Sequence, residues 1–433
     1  MKNIISHRSF ISRLSRITGV RSVLAFAVLF SIAASLPAPA QSYSVLYAFH
    51  GGTDGASPNG ALVRDAAGDL FGTTANGGKQ LCNIAYGVGC GTVFKVDAAG
   101  VETILHSFGG KADGFYPLSG VSGSGACTLY GSAELGGDLR CNSPIGCGLI
   151  FKLDTRTLGF SVLHTFTGSP DGFYPGALRN DAADNIYGLT SGGGAPSPTC
   201  PKGCGTVFKV DATGVETVLY NFTGGADGGD PATALGGGLV RDSGGNLYGT
   251  AAVGGQIPCV SGGTYGCGVV FKVQPDGVET VLHAFTGTDG EDPSGGLIPS
   301  ASGSAFYGTT AFGGTYGRGT VFKVDVQGNY RVLYNFTGGA DGANPFYNLV
   351  RDAAGNLYGV NSGSSSSRGA VFKLDPTGVL SVLYNFTGGA DGGVPFGALI
   401  LDAAGNLYGV TGAGGDLTCN PPNGCGVVFK IAP

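Results

Sequence analysis

Seven times along its 433 residues the chain places Phe-Lys directly after an aliphatic residue, at Phe94-Lys95, Phe151-Lys152, Phe208-Lys209, Phe271-Lys272, Phe322-Lys323, Phe372-Lys373 and Phe429-Lys430. Successive phenylalanines stand 57, 57, 63, 51, 50 and 57 residues apart. A unit of that length cannot bury both faces of its own strands and must stack on copies of itself. The spacing therefore dictates a repeat architecture, not a string of unrelated domains.

Each unit holds four short runs of β-branched and aromatic residues, separated by Gly, Asn, Asp and Pro. The sixth shows them plainly as Tyr330 to Phe336, Asn348 to Asp352, Asn356 to Val360 and Gly369 to Asp375. No window carries helical periodicity, so the expected class is all-β. Seven units of four antiparallel strands predict a seven-bladed β-propeller. By analogy with propellers in general, the LVRD run is innermost, followed by NLYG, VFK and then VLYNF at the rim. The first run after the leader, Val45 to Phe49, is of the outermost type, and the last, Val427 to Ile431, is of the third type. The N-terminal strand is thus expected to complete the last blade and close the ring.

Residues 1–40 differ from the rest, with five basic residues, no acid and an apolar run from Val23 to Ala34. This reads as a secretory signal peptide cleaved before Gln41, leaving one domain over 41–433 in a secreted or periplasmic, monomeric protein without a membrane span. Loss of the leader leaves 19 Lys and Arg against 29 Asp and Glu. That acidic balance argues against nucleic acid as a partner.

The recurring string GTVFKVDAxGVETVLYNFTGGADGxxPxxxLVRDAAGNLYGTT resembles the GloVer tandem repeat of exported bacterial proteins, and the likeness runs through residues 41–433. A weaker similarity of DAAGNLYG to NHL-type blades supports the strand order. The resemblance implies a propeller-like fold and export, and it carries no established activity.

Ten of the eleven cysteines fall in the connection between second and third strands, as Cys82 and Cys90, Cys141 and Cys147, Cys200 and Cys204, Cys259 and Cys267, Cys419 and Cys425. Each connection has both members or neither, which predicts local disulfides in an oxidising compartment. Units five and six have neither, and Arg318 and Arg368 stand at the second position, where they are expected to leave a notch for an anionic ligand. Cys127 is left over as a free, inert thiol.

Two long connections per unit emerge on one face, which nominates that face for function. It carries a repeated Asp-Gly, at Asp54, Asp113, Asp171, Asp227, Asp289, Asp341 and Asp391. A ring of carboxylates could bind calcium. The competing reading makes each Asp a turn residue accepting a backbone hydrogen bond, with no cofactor. Aromatic residues outside the repeating ladders cluster beside these acids: Phe115, Tyr116, Phe173, Tyr174, Tyr265, Tyr316, Phe346 and Tyr347. With Asp113, Asp171, Arg318 and Arg368 they form the candidate ligand-binding set, and loop packing would use the same rings. His106, His164 and His283 occupy a position held elsewhere by Tyr, which marks them as strand residues. The strand lysines are read as pairing with Asp97, Asp154, Asp211, Asp325 and Asp375 two residues on. Glu134, Glu291, Asp292, Lys79, Arg140 and Lys202 also break the repeat, yet no catalytic constellation is legible.

The expected function is a binding or interaction module for extracellular glycans or surface proteins. The alternatives are a polysaccharide hydrolase or lyase acting at the central channel, and a structural component of the cell envelope.

Overall fold

The computed structural model describes residues 41–433 apart from 81, 83–87, 124–126, 232–237, 256–258, 260–264 and 364–366. The leader lies outside the described residues. Seven antiparallel sheets form the blades of a propeller, six of them ordered from the channel outward along the chain. Blade one comprises Ala56–Arg64, Leu70–Asn76, Thr92–Val96 and Glu102–Ser107. In blades three and four the innermost strand is split, into Phe173–Pro175 with Arg179–Asn180 and Gly229–Pro231 with Val240–Arg241. Among the described residues there is no α-helix and there are two single 3-10 turns, Gly52–Asp54 and Lys111–Asp113.

Blade seven takes Gly393–Leu401, Leu407–Ala413 and Val427–Ala432 from the end of the chain and Ser42–Ala48 from its beginning. The pairing runs from Ser42 opposite Ala432 to Ala48 opposite Val427. The closure expected from the phase of the strands is the one observed. Tyr43 of this strand stacks on Tyr384 of blade six at 3.9 Å between ring centres, so the closing strand is held by a ring contact as well as by its ladder.

The third strand of each blade is the core of its sheet. Val93, Phe94 and Val96 are fully buried while Lys95 between them is half-buried, so both faces of the strand are covered and only the lysine reaches solvent. Each central Phe meets the Phe that ends the outer strand of the preceding blade, edge to face, as in Phe49 with Phe94 and Phe108 with Phe151. The pair recurs at all seven seams with centres 5.0–5.4 Å apart. These contacts are how one blade's apolar face finds its cover. A register shift between third and outer strands also recurs in every blade, at Val93/Phe94 in the first. Such a bulge adds local twist and bends the outer strand.

The glycine opening each third strand is a second seam element. Gly91 has φ +90°, and a Cβ there would stand 2.6 Å from Cδ of Pro117 in the next blade. Gly426 meets Pro58 in the same way, carrying the contact across the closure.

The strand lysines do not pair with the acid two residues on. Asp97 instead accepts from the backbone N–H groups of Ala99 and Val101, each at 2.9 Å. Asp154, Asp211, Asp325 and Asp375 cap their turns likewise. Two residues beyond the lysine the chain has entered the turn, where unpaired N–H donors take the carboxylate. Lys152, Lys323, Lys373 and Lys430 lie over the Tyr of the neighbouring strand instead, as Lys152 over Tyr130 at 5.7 Å, and Lys95 pairs with Asp69 at 3.1 Å.

Candidate functional site

The long connections are built on one repeated backbone device. The residue before each ring proline has positive φ although none is glycine: Ser57, Tyr116, Tyr174, Asp230, Asp292, Asn344 and Val394, with φ between 47° and 63°. Each N–H donates to a carbonyl of the preceding blade, for example Tyr116 to Cys90 at 3.1 Å and Asn344 to Arg318 at 2.9 Å. A left-handed conformation costs a non-glycine residue about 1 kcal/mol or more. The inter-blade hydrogen bond and the proline packing hold it in place.

Just outside this ring sit the five disulfides, formed between the expected partners. Their sulfurs pack against a glycine of the adjacent connection, as Cys82 and Cys90 do against Gly110. In the two blades without cystine the same place is filled by an arginine stem, Arg318 against Gly338 and Arg368 against Gly388. The arginines therefore fill the gap instead of opening one, and their guanidinium groups are exposed.

The repeated Asp-Gly is a turn element with a second partner that spacing alone did not reveal. Asp227 accepts from the backbone N–H of Thr223 at 2.8 Å and from the Tyr220 hydroxyl at 2.9 Å. Asp54, Asp341 and Asp391 repeat the Tyr contact, while Asp113, Asp171 and Asp289 face His106, His164 and His283. Tyr and His thus interchange because both present a donor to one carboxylate. Burial pushes the Asp171 and Asp289 carboxyls up, but hydrogen bonds from the histidine and a threonine outweigh it and hold both below the usual range. Next to this ladder lie Glu102, Glu216 and Glu279, each with one buried carboxylate oxygen lacking a hydrogen bond. Burial, with Asp54 or Asp227 beside two of them, pushes all three from 4.5 to about 7.

The candidate residues separate into three groups. Phe115 and Tyr347 are 5% exposed and belong to the seam core, and Phe173 lies against Gly192, so these rings pack the connections instead of facing solvent. Tyr116 and Tyr174 are half-buried in the left-handed ring at the channel mouth. Tyr265 and Tyr316 are 76% and 59% exposed. Phe346 is half-buried and meets the exposed Phe312 edge to face at 5.8 Å.

Three acids complete the mouth. Glu134 stands where the other blades have Ala, Ser or Gly, and burial with nearby Asp230 raises its carboxyl to about 7. Asp230 is open to water yet crowded by the walls around it, as a side chain in a water-filled recess would be, and that crowding together with Asp292 pushes its carboxyl up. Asp292 is raised by burial and by Glu291. Burial and neighbouring acids thus raise all three carboxyls, and a carboxyl that keeps its proton can donate as well as accept a hydrogen bond. Nothing in the spacing of Glu134, Asp230 and Asp292 announces this meeting, because the ring brings together three blades.

Further down, the inner strands enclose cavities of about 830 and 760 Å³ that share Ile298 and Pro299. Cys127 lies on the short-turn face, where Arg156 donates to its sulfur.

No curated protein matches the sequence. Among solved structures the chain is similar to the extracellular domain of a hybrid two component system of B. thetaiotaomicron, with 10% identity and a TM-score of 0.51, over 90% of this chain and 39% of that one. It is similar to a gluconolactonase from Xanthomonas campestris, with 15% identity and a TM-score of 0.40, over 70% and 82%. It is also similar to the calcium-binding protein regucalcin from Agrobacterium tumefaciens, with 14% identity and a TM-score of 0.41, over 90% and 93%. At these identities the likeness speaks for the fold alone. The model of the Gloeobacter/Verrucomicrobia repeat matches residues 257–433, and that part of the chain carries the repeat.

Proposed function

We propose that the protein is a carbohydrate-binding module of an oxidising, extracytoplasmic compartment, with its ligand seated at the channel mouth on the long-connection face. The observation that carries this reading is where the sevenfold symmetry is given up. Packing positions keep one residue type around the ring, whereas the left-handed position keeps its backbone and changes its side chain: Ser57, Tyr116, Tyr174, Asp230, Asp292, Asn344 and Val394. A rigid backbone displaying diverse side chains at one mouth serves recognition better than it serves packing. Rings beside carboxyls suit a sugar, which offers C–H faces for stacking and hydroxyls for hydrogen bonds. The five disulfides support the compartment.

A glycan-array screen of oxidised 41–433, with and without calcium, tests it against Tyr116→Ala plus Tyr174→Ala and against Asp230→Asn. Retention of a glycan that both variants lose, with their melting temperatures kept, is the expected result. Absence of any retained glycan, or retention undiminished in both variants, would refute it.

A further inference from the structure

Blade five departs from the pattern at two positions that meet on the opposite, short-turn face, the first unique to it and the second shared in sequence with blade two, which has Ser124 there. In every other blade the lysine of the third strand faces a small hydroxyl residue on the outer strand: Thr103, Ser161, Thr217, Thr280, Ser381 and Ser44. In blade five Lys323 faces Arg331. Like charges directly opposite on one sheet face destabilise the pair unless something anionic lies between them. The second departure removes an acid from the neighbouring turn. Asp181, Asp242, Asp352 and Asp402 open the turn after the inner strand and accept from the hydroxyls of Tyr187, Tyr248, Tyr358 and Tyr408. Blade five has Ser300 there, bonded within its own turn, and Tyr307 has no such acid.

The consequence reaches across the seam. Arg64 and Arg241 each lie over the Tyr of the preceding blade, at 5.4 Å from Tyr408 and 5.2 Å from Tyr187, beside the Asp that this Tyr bonds. Arg351 is the third arginine at this position and lies in the same way over the glycine of its own turn. Its preceding blade is blade five, which lacks the acid, and its Nε is buried without a hydrogen-bond partner. Between them stands a cavity of about 470 Å³ lined by Tyr307, Lys323, Arg331 and Arg351. Asp375 also lines it, with Oδ1 accepting from Thr377 and Val379 of its own turn, so it is the one acid that the cations of the cavity outnumber.

We infer that this seam is a binding site for an oxyanion, either free or carried on a sugar ring as a carboxylate or sulfate, which takes the place of the carboxylate that blade five has lost. Arg351 and Arg331 supply forked donors, Lys323 a point charge and Tyr307 a hydroxyl donor. The volume accommodates a single uronic acid residue. This site shares no residue with the channel mouth, so it stands whether or not the mouth binds sugar.

Calorimetric titration with sodium sulfate, sodium glucuronate and glucose, at ionic strength matched with chloride, tests it. Two variants restore residues of the other blades and so keep the fold: Arg331→Thr, as in blades one, three and four, and Ser300→Asp, as in five of them. The wild type should bind the anions and not glucose. Arg331→Thr should weaken binding about tenfold or more, the worth of one charge-assisted contact. Ser300→Asp should abolish binding and raise the melting temperature in anion-free buffer. Glucuronate bound more tightly than sulfate assigns the site to an anionic sugar, and the reverse to a free anion. No anion binding by the wild type, or equal binding by all three proteins, overturns the inference.

Discussion

Replacing Glu102, Glu216 and Glu279 together by glutamine should stabilise the protein at pH 8 and leave it nearly unchanged at pH 5. In the folded chain these carboxyls sit at about 7, against 4.5 when exposed. Between those values the folded state holds protons that the unfolded state has released, so stability is full below about pH 4.5 and is lost as pH rises through 7. A displacement of that size corresponds to at most about 3 kcal/mol per group. Each side chain is only half-buried, and screening by water reduces this to about 1 kcal/mol apiece. The triple variant should therefore gain about 3 kcal/mol on the wild type between pH 5 and pH 8, which for a chain of this length is about 4 °C in melting temperature. Glu134 keeps part of the slope in both proteins, so the difference between them is the quantity to follow. The lowered carboxyls of Asp171 and Asp289 act elsewhere, since their stabilisation is lost only as pH falls below about 4. Denaturation midpoints at constant ionic strength from pH 5 to 8 would decide. A difference that does not grow with pH would refute the account of the seam glutamates.

Two further outcomes follow from the seams. Cys141→Ser plus Cys147→Ser should cost about 2 kcal/mol in chemical denaturation, whereas Arg318→Ala, which removes only a packed stem, should cost under about 1 kcal/mol. Phe151→Ala should cost about 3–5 kcal/mol, because the ring is fully buried against Phe108 of the neighbouring blade. A loss below 1 kcal/mol would mean that the edge-to-face ladder does not carry the seams.

The blades and their closure were legible because both rest on local signals. A strand shows itself by alternation, and the phase of the first and last runs shows which blade is incomplete. The disulfides were legible because partners lie at most eight residues apart in one connection. The mouth was not. A residue before proline is ordinarily extended, so nothing in Tyr116-Pro117 or Asp230-Pro231 signals a left-handed turn. That turn exists because the preceding blade offers a carbonyl and a glycine, a fact of assembly and not of local sequence. The tie between Asp227 and Tyr220 was not read from the sequence either, although the two stand seven residues apart. Its meaning needed the bulge and the turn that aim the two side chains at each other. Lys323, Arg331 and Arg351 meet only across a seam, so their shared charge surfaces once the blades are docked.

The strand Ser42–Ala48 also sets a timetable. Ser42 waits for Ala432, 390 residues later, before its ladder can form. At ordinary synthesis rates that is a delay of roughly 20 to 80 s. Throughout it, Tyr43, Leu46, Tyr47 and Phe49 have no blade to join, and Phe94 lacks the ring that covers it. Seven similar units invite the early strand to pair with the wrong third strand while the right one is still missing. The stack of Tyr43 on Tyr384 adds a contact with blade six to the ladder with blade seven. Ring closure thus waits for the third strand of blade seven, and until then the closing strand is an open edge in need of protection from premature partners.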